Sequence, residues 1–200
     1  MRIGLFGGTF NPIHLGHLRA AEETRQKANL QRVIFIPSGN PPLKSSEILP
    51  SKERLRLVMD AVSDNPYFEA SDIEVSRAGK SYTVETVEKL SRLYREDELF
   101  FITGVDAFLD LPLWHEPERL TSLVDFIVLT RPGYSLAPLS MSEYITEESL
   151  EVLRRCINDL YDQLLLHMKG GKRLILLNIA ALNISSTMIR EYLRKGYSIK

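Results

Sequence analysis

Short apolar runs alternate with amphipathic stretches from the third residue almost to the end of the chain, and nothing else in the sequence restricts the fold as much. Residues 3–6, 32–36, 67–74, 98–103, 125–130 and 173–177 read as strands, the second closed by Pro37. Residues 17–28, 52–62, 83–94, 143–168 and 185–193 read as helices by their spacing of apolar side chains. In the second of these Leu55, Val58, Met59 and Val62 share a stripe, and in the third Val84, Val87 and Leu90 do. Strands separated by helices pair in parallel, so the pattern predicts an α/β protein with helices on both faces of a parallel sheet. Two loops, 37–50 and 131–142, are rich in Pro, Ser or Gly, but the pattern resumes after each. One domain over residues 1–200 is therefore expected.

Composition narrows the function. The 25 basic residues nearly cancel the 26 acidic ones, which argues against a coat for nucleic acid or for an anionic membrane. Cys156 is the only cysteine, so an intrachain disulfide and a cysteine zinc cage are both excluded, and a packing role is expected for it. No apolar stretch approaches the ~18 residues that a membrane span requires. Gly7 and Gly8 interrupt the first apolar run too early for a signal peptide, so a cytoplasmic location is expected.

Two places could carry chemistry. The first strand runs into Gly7-Gly8-Thr9-Phe10-Asn11-Pro12-Ile13-His14-Leu15-Gly16-His17. Glycines after a parallel strand admit a phosphate to backbone N–H groups, and the next helix adds its positive end. His14 and His17, three apart, can face one anion. Simple tight turning, or a metal site lacking a nearby Asp, Glu or Cys, are the alternatives. The dinucleotide fingerprint G-x-G-x-x-G is absent, and the second strand ends without a carboxylate for a ribose, which disfavours an oxidoreductase. Near the far end, Ser185 or Ser186 can cap a helix in which Arg190 reaches back toward Ser186 and Thr187. Hydroxyls, helix dipole and cation then converge as for a polyphosphate, although a capped surface helix with a solvated arginine fits the same residues.

Together, Gly7-Gly8-Thr9-Phe10…His14-Leu15-Gly16-His17 and Ile184-Ser185-Ser186-Thr187-Met188-Ile189-Arg190 resemble the H-x-G-H and I-S-S-T-x-x-R signatures of the nucleotidyltransferase superfamily. Within it, the chain resembles bacterial nicotinate-nucleotide adenylyltransferases over essentially its whole length. Residues 37–44, 81–86 and 103–114 add supporting segments, among them Ser81-Tyr82-Thr83 and Pro112-Leu113-Trp114.

The resemblance implies a Rossmann-like sheet ordered about 3-2-1-4-5 plus a last strand, with 185–200 as a C-terminal helix carrying the second motif. It implies transfer of AMP from ATP, with Mg²⁺, to nicotinate mononucleotide. His17, His14 and Arg190 would be catalytic. Gly8, Thr9, Phe10, His14, His17, Lys44, Gly104, Asp106, Ser186, Thr187 and Arg190 would bind ATP. Asp106 alternatively reads as a helix cap. Thr83 and Trp114 would bind the mononucleotide, where the bare sequence also allows a capping hydroxyl and a core aromatic.

The chain departs from the family pattern at Asn11, where Asp is usual, and at Leu43, where P-P-H-K has His. A phosphopantetheine adenylyltransferase, a nicotinamide-preferring relative and a nucleotide-binding regulator without catalysis are the competing readings. ATP and the mononucleotide are the expected partners, with no nucleic acid and no membrane, and self-association is left open.

Overall fold

Alternate residues of the central strands bury on opposite faces of one sheet, as a two-residue repeat requires. In the computed structural model, residues 1–42, 48–156, 161–180 and 182–198 are described. The strands are β1 (Arg2–Gly8), β2 (Arg32–Pro37), β3 (Phe68–Ala70), β4 (Glu98–Gly104), β5 (Asp125–Thr130), β6 (Gln163–His167) and β7 (Arg173–Asn178). They form one sheet ordered β3-β2-β1-β4-β5-β7-β6. Every neighbouring pair is parallel except β6 with β7.

The helices are α1 (Leu15–Lys27), α2 (Ser51–Val62), α3 (Thr83–Leu93), α4 (Val105–Leu109), α5 (Pro117–Leu123), α6 (Glu147–Arg155) and α7 (Ser186–Arg194). On one face Ile3, Leu5, Phe101, Phe126 and Val128 pack with Val84, Val87 and Leu90 of α3, Leu120 of α5 and Leu153 of α6. On the other, Phe6, Val33, Phe35, Phe100, Ile102 and Ile127 pack with Ala20 and Ala21 of α1 and Val58 and Val62 of α2. Strands apolar on both faces are what a parallel sheet between two helical layers needs. Among the described residues no helix is long and apolar enough to cross a membrane.

The order 3-2-1-4-5 is present, and the strand expected last joins β5 as β7. Four local expectations are corrected. The stretch 143–168 is not one helical region: it holds α6 and then β6, which turns back onto β7. Three consecutive leucines there read as helix, yet Gly170 and Gly171 mark a reversal, with Gly171 at φ +81° and Met168 N–H bonded to Lys172 O at 2.8 Å. β3 is shorter than 67–74, because residues 73–76 turn. The buried stripe of α2 is Arg54, Val58 and Val62, and Met59 is 54% exposed.

The fourth correction concerns the C-terminus. Helix α7 stops at Arg194 rather than running to residue 200. Gly196 takes φ +77°, its N–H bonds to Leu193 O, and Tyr197 N–H bonds to Tyr192 O. That is the Schellman arrangement, completed by the Tyr192–Tyr197 ring contact at 5.9 Å.

Candidate active site

β1 has β2 on one side and β4 on the other, so the winding reverses at its C-terminal end, where open α/β sheets bind ligands. Two cavities open there, of about 580 and 390 Å³, within the range of small-molecule sites. Gly7 and Gly8 line both, and no other described residue does. The glycine loop is the ridge between two binding spaces.

The smaller cavity gathers Gly8, Phe10, His14, His17, Gly104, Asp106 and Ser186, all expected at the ATP site. His14 N–H donates to His17 Nδ1 at 3.2 Å. With Nδ1 accepting, the neutral His17 ring carries its hydrogen on Nε2, the nitrogen that can donate to an anion. Phe10 is buried at φ +46°, a strained conformation for a bulky residue, and packs edge-on against His17 at 5.1 Å. The His14 and His17 rings lie 3.8 Å apart. A Cβ on residue 16 would come within 2.9 Å of His14 Nδ1, which is why glycine stands between the histidines. Burial pushes the His14 pKa down, because removing water penalises the charged ring. A triphosphate would reverse that preference.

Two helix starts serve this cavity, and neither α1 nor α7 has an acidic residue in its first turn to oppose an incoming anion. Ser185 is the cap of α7, accepting from Met188 N–H at 3.2 Å. Helix α7 buries none of its side chains and is held to the glycine loop by polar bonds. Ser186 Oγ donates to Pro12 O at 2.9 Å, and Arg190 donates to Asn11 O at 2.7 Å and to Thr187 Oγ1 at 3.2 Å. Thr187 and Arg190 thus sit beside the cavity rather than among its lining residues.

Asp106 is exposed in the first turn of α4, whose cap is Gly104, so the capping alternative for Asp106 falls away. A Cβ on Gly104 would meet no protein atom within 4 Å, leaving the bare position to whatever fills the cavity.

The larger cavity is lined by Thr9, Ser38, Glu74, Ser81, Tyr82, Thr83, Thr86, Trp114 and His115, among others. Both residues expected to hold a mononucleotide are here. Thr83 opens α3, and the cap position, Tyr82, offers no side-chain acceptor to the free N–H groups. Trp114 is half-buried, edge-on to Phe101 at 6.0 Å, so it is both a core contact and a cavity wall. Thr9, expected with ATP, lines this cavity instead of the smaller one. Lys44 and Leu43 lie outside the described residues.

Several residues in or beside the cavities had no chemical role in the sequence reading. Glu74 is buried and accepts from Thr86 Oγ1 at 2.8 Å. Desolvation pushes its carboxyl up, against hydrogen bonds from Thr86, Gly39 and Ser81 that favour the charged form. His115 stacks on Tyr82 at 4.2 Å. Arg54, which lines neither cavity, heads the largest fully buried side chains: a cation on the same stripe as Val58 and Val62, four residues apart, was the available signal. Asn11 is buried, and its Oδ1 accepts from Leu49 N–H at 3.1 Å. A carboxylate oxygen accepts the same bond, so the departure from Asp keeps this contact.

The family model described as cytidylyltransferase-like matches residues 5–192. The "Probable nicotinate-nucleotide adenylyltransferase" of Desulfitobacterium hafniense (strain DSM 10664 / DCB-2) is 43% identical over 200 residues, covering 100% of this chain and 87% of its own. A protein of that name in Thermus thermophilus is 45% identical over 161 residues, 78% of this chain and 86% of its own. Among solved structures, Plasmodium falciparum nicotinic acid mononucleotide adenylyltransferase complexed with NaAD superposes with a TM-score of 0.71. Its identity is 19%, over 99% of this chain and 86% of its own, a likeness that speaks to the fold.

Proposed function

Since this chain belongs to the cytidylyltransferase-like family, with full-length relatives named as nicotinate-nucleotide adenylyltransferases, we propose that it transfers AMP from ATP to nicotinate mononucleotide. The products are nicotinate adenine dinucleotide and pyrophosphate. The observation that carries this reading is the pair of cavities that share only Gly7 and Gly8 among the described residues. A reaction that joins two nucleotides through their phosphates needs two binding spaces meeting at one phosphate loop.

ATP occupies the smaller cavity. Its triphosphate lies against the α1 start, His14 and His17, with Ser186, Thr187 and Arg190 on its outer phosphates. Asp106 takes the ribose hydroxyls. Nicotinate mononucleotide occupies the larger cavity with its ring against Trp114 and its carboxylate at the α3 start beside Thr83.

An oxygen of the mononucleotide's phosphate attacks the α-phosphorus. The bond from that phosphorus to the pyrophosphate oxygen breaks, and pyrophosphate leaves with the electron pair. The acceptor brings its own nucleophile, so no serine or cysteine is needed. Catalysis consists of alignment and of donors aimed at the charge that builds up. His17 Nε2–H is the donor nearest that charge.

Magnesium bound with ATP would neutralise part of the phosphate charge. The described residues gather no group of three His, Cys, Asp or Glu side chains that would hold a metal ion by themselves.

Pyrophosphate release from Mg·ATP, with nicotinate mononucleotide, nicotinamide mononucleotide and phosphopantetheine offered separately, tests the assignment. Release with the nicotinate acceptor, well above the other two, is expected. Release with phosphopantetheine alone would overturn it, as would no release from folded protein that binds ATP.

A further inference from the structure

The residue that follows the shared glycines is tied to the 38–39 wall of the larger cavity by one buried cation. Arg54, in the first turn of α2, is 1% exposed. Its Nε donates to Leu49 O at 2.9 Å and its Nη1 to Thr9 O at 2.7 Å. Its Nη2 donates to Ser38 O at 2.5 Å and to Gly39 O at 3.1 Å. Every one of these acceptors is a main-chain carbonyl.

The segments so joined are the end of the glycine loop and one wall of the larger cavity. Thr9 follows the shared glycines, and Ser38 lines the larger cavity. Ser38 N–H also bonds to Gly8 O at 2.9 Å. Asn40 is fastened in turn to the α3 start, donating to Ser81 Oγ at 3.0 Å and accepting from Ser81 N–H at 2.9 Å. A Cβ on Gly39 would lie 2.2 Å from Glu74 O, so the segment is pressed against its neighbours as well as bonded to them.

A guanidinium removed from water and met by neutral carbonyls carries a large desolvation cost, and without it those carbonyls lose their donor, so the cation and the loop geometry it holds come as one unit. Glu74 offsets part of that cost from nearby, without a direct hydrogen bond among those described. A rigid planar fork is, however, the one side chain that can hold several carbonyls at fixed mutual positions.

We infer that Arg54 is a positioning residue for the transfer: its guanidinium sets the separation between the glycine loop and the 38–40 segment, and so the alignment of the acceptor phosphate with the α-phosphate of ATP. It touches neither nucleotide and acts through the backbone. This inference rests on the two-nucleotide reaction proposed above.

The experiment compares Arg54→Met and Arg54→Lys with the wild type by turnover, by binding of each nucleotide alone and by thermal melting. A misplacement of about 1 Å costs on the order of 10²-fold in rate. Arg54→Met is expected to lose that much kcat while ATP and nicotinate mononucleotide each bind alone within about threefold of wild type. Arg54→Lys keeps the charge but cannot span four carbonyls, so its loss should be intermediate, about tenfold.

A folded variant with wild-type kcat overturns the inference, as does a loss of rate fully matched by weaker binding of each nucleotide. If neither variant folds, Arg54→Gln, whose neutral amide keeps two donors without burying a charge, is compared in the same way: a loss of kcat of about tenfold with each nucleotide bound as in the wild type is expected, and wild-type kcat overturns the inference. Absence of turnover in the wild type counts against the proposed reaction instead.

Discussion

In the proposed transfer His17 brings one hydrogen to the reaction, and the backbone decides which nitrogen carries it. With Nδ1 accepting from the His14 N–H, the neutral ring carries its hydrogen on Nε2, the nitrogen proposed to face the phosphates. His17→Ala should therefore cut kcat by about 10²-fold or more, the scale of losing one donor aimed at developing charge. Melting should shift little, and a turnover near wild type would remove His17 from the mechanism.

His14 makes a different prediction. Burial lowers its pKa, so in the folded chain the ring binds fewer protons than it would in the unfolded chain or beside a polyanion. Two outcomes follow near and below the ordinary imidazole range. Stability contributed by the neutral ring is present above the unfolded pKa and is lost as pH falls through the folded one. ATP binding should take up protons there, measurable by calorimetry in two buffers of different ionisation enthalpy. His14→Gln should take up fewer, and equal uptake in both proteins would show that the His14 ring is not coupled to ATP. At this scale the sequence was readable where residues stand in motifs: His14, His17, Ser186 and Trp114 all line the cavities. Arg54 was not readable, because a cation in an amphipathic helix looks solvated until the loops that deliver Thr9, Ser38 and Leu49 to it are known.

At the scale of elements, the site is made by helix starts and one short turn. Trp114 ends the 3₁₀ turn Leu111–Leu113 and packs on Phe101 of β4, so its ring is fixed before any ligand arrives. Trp114→Ala should raise KM for nicotinate mononucleotide severalfold and leave KM for ATP nearly unchanged, as steady-state kinetics with each substrate varied will tell. Equal effects on both would count against the stacking role.

The element hidden from the sequence, β6, shows what periodicity cannot resolve. Leu164, Leu165 and Leu166 satisfy a helical pattern as well as a strand, and at an edge strand even the buried face is short. In the structure Leu166 is fully buried and Leu165 is 56% exposed. Leu166→Ala should cost about 2–5 kcal/mol in urea unfolding. Leu165→Ala should stay within about 0.5 kcal/mol. Similar costs at both positions would contradict the alternation. The edge itself is partly covered, since His167 N–H bonds to Ser149 Oγ and its carbonyl accepts from Thr146 N–H.

For the whole molecule, the strand order decides where chemistry is done. With β1 central and the winding reversed on either side of it, the glycine loop becomes the meeting point of everything delivered by the β2, β4 and β5 ends and by α7. Alternation of strands and helices gives the parallel sheet and the glycines mark the loop, while the strand order was expected from the family resemblance. What did not follow is that the loop has two sides, because adjacency of the 38–42 loop, the α3 start and the Trp114 turn depends on non-local packing.

In the proposed transfer two nucleotides react directly across Gly7 and Gly8, with no intermediate on the protein. Turnover of ATP made chiral at the α-phosphorus with sulfur, followed by determination of configuration in the dinucleotide product, tests it most directly. A single displacement between bound substrates predicts inversion at phosphorus. Retention would mean two displacements, with AMP first transferred to a group of the protein, and would contradict this account of the site.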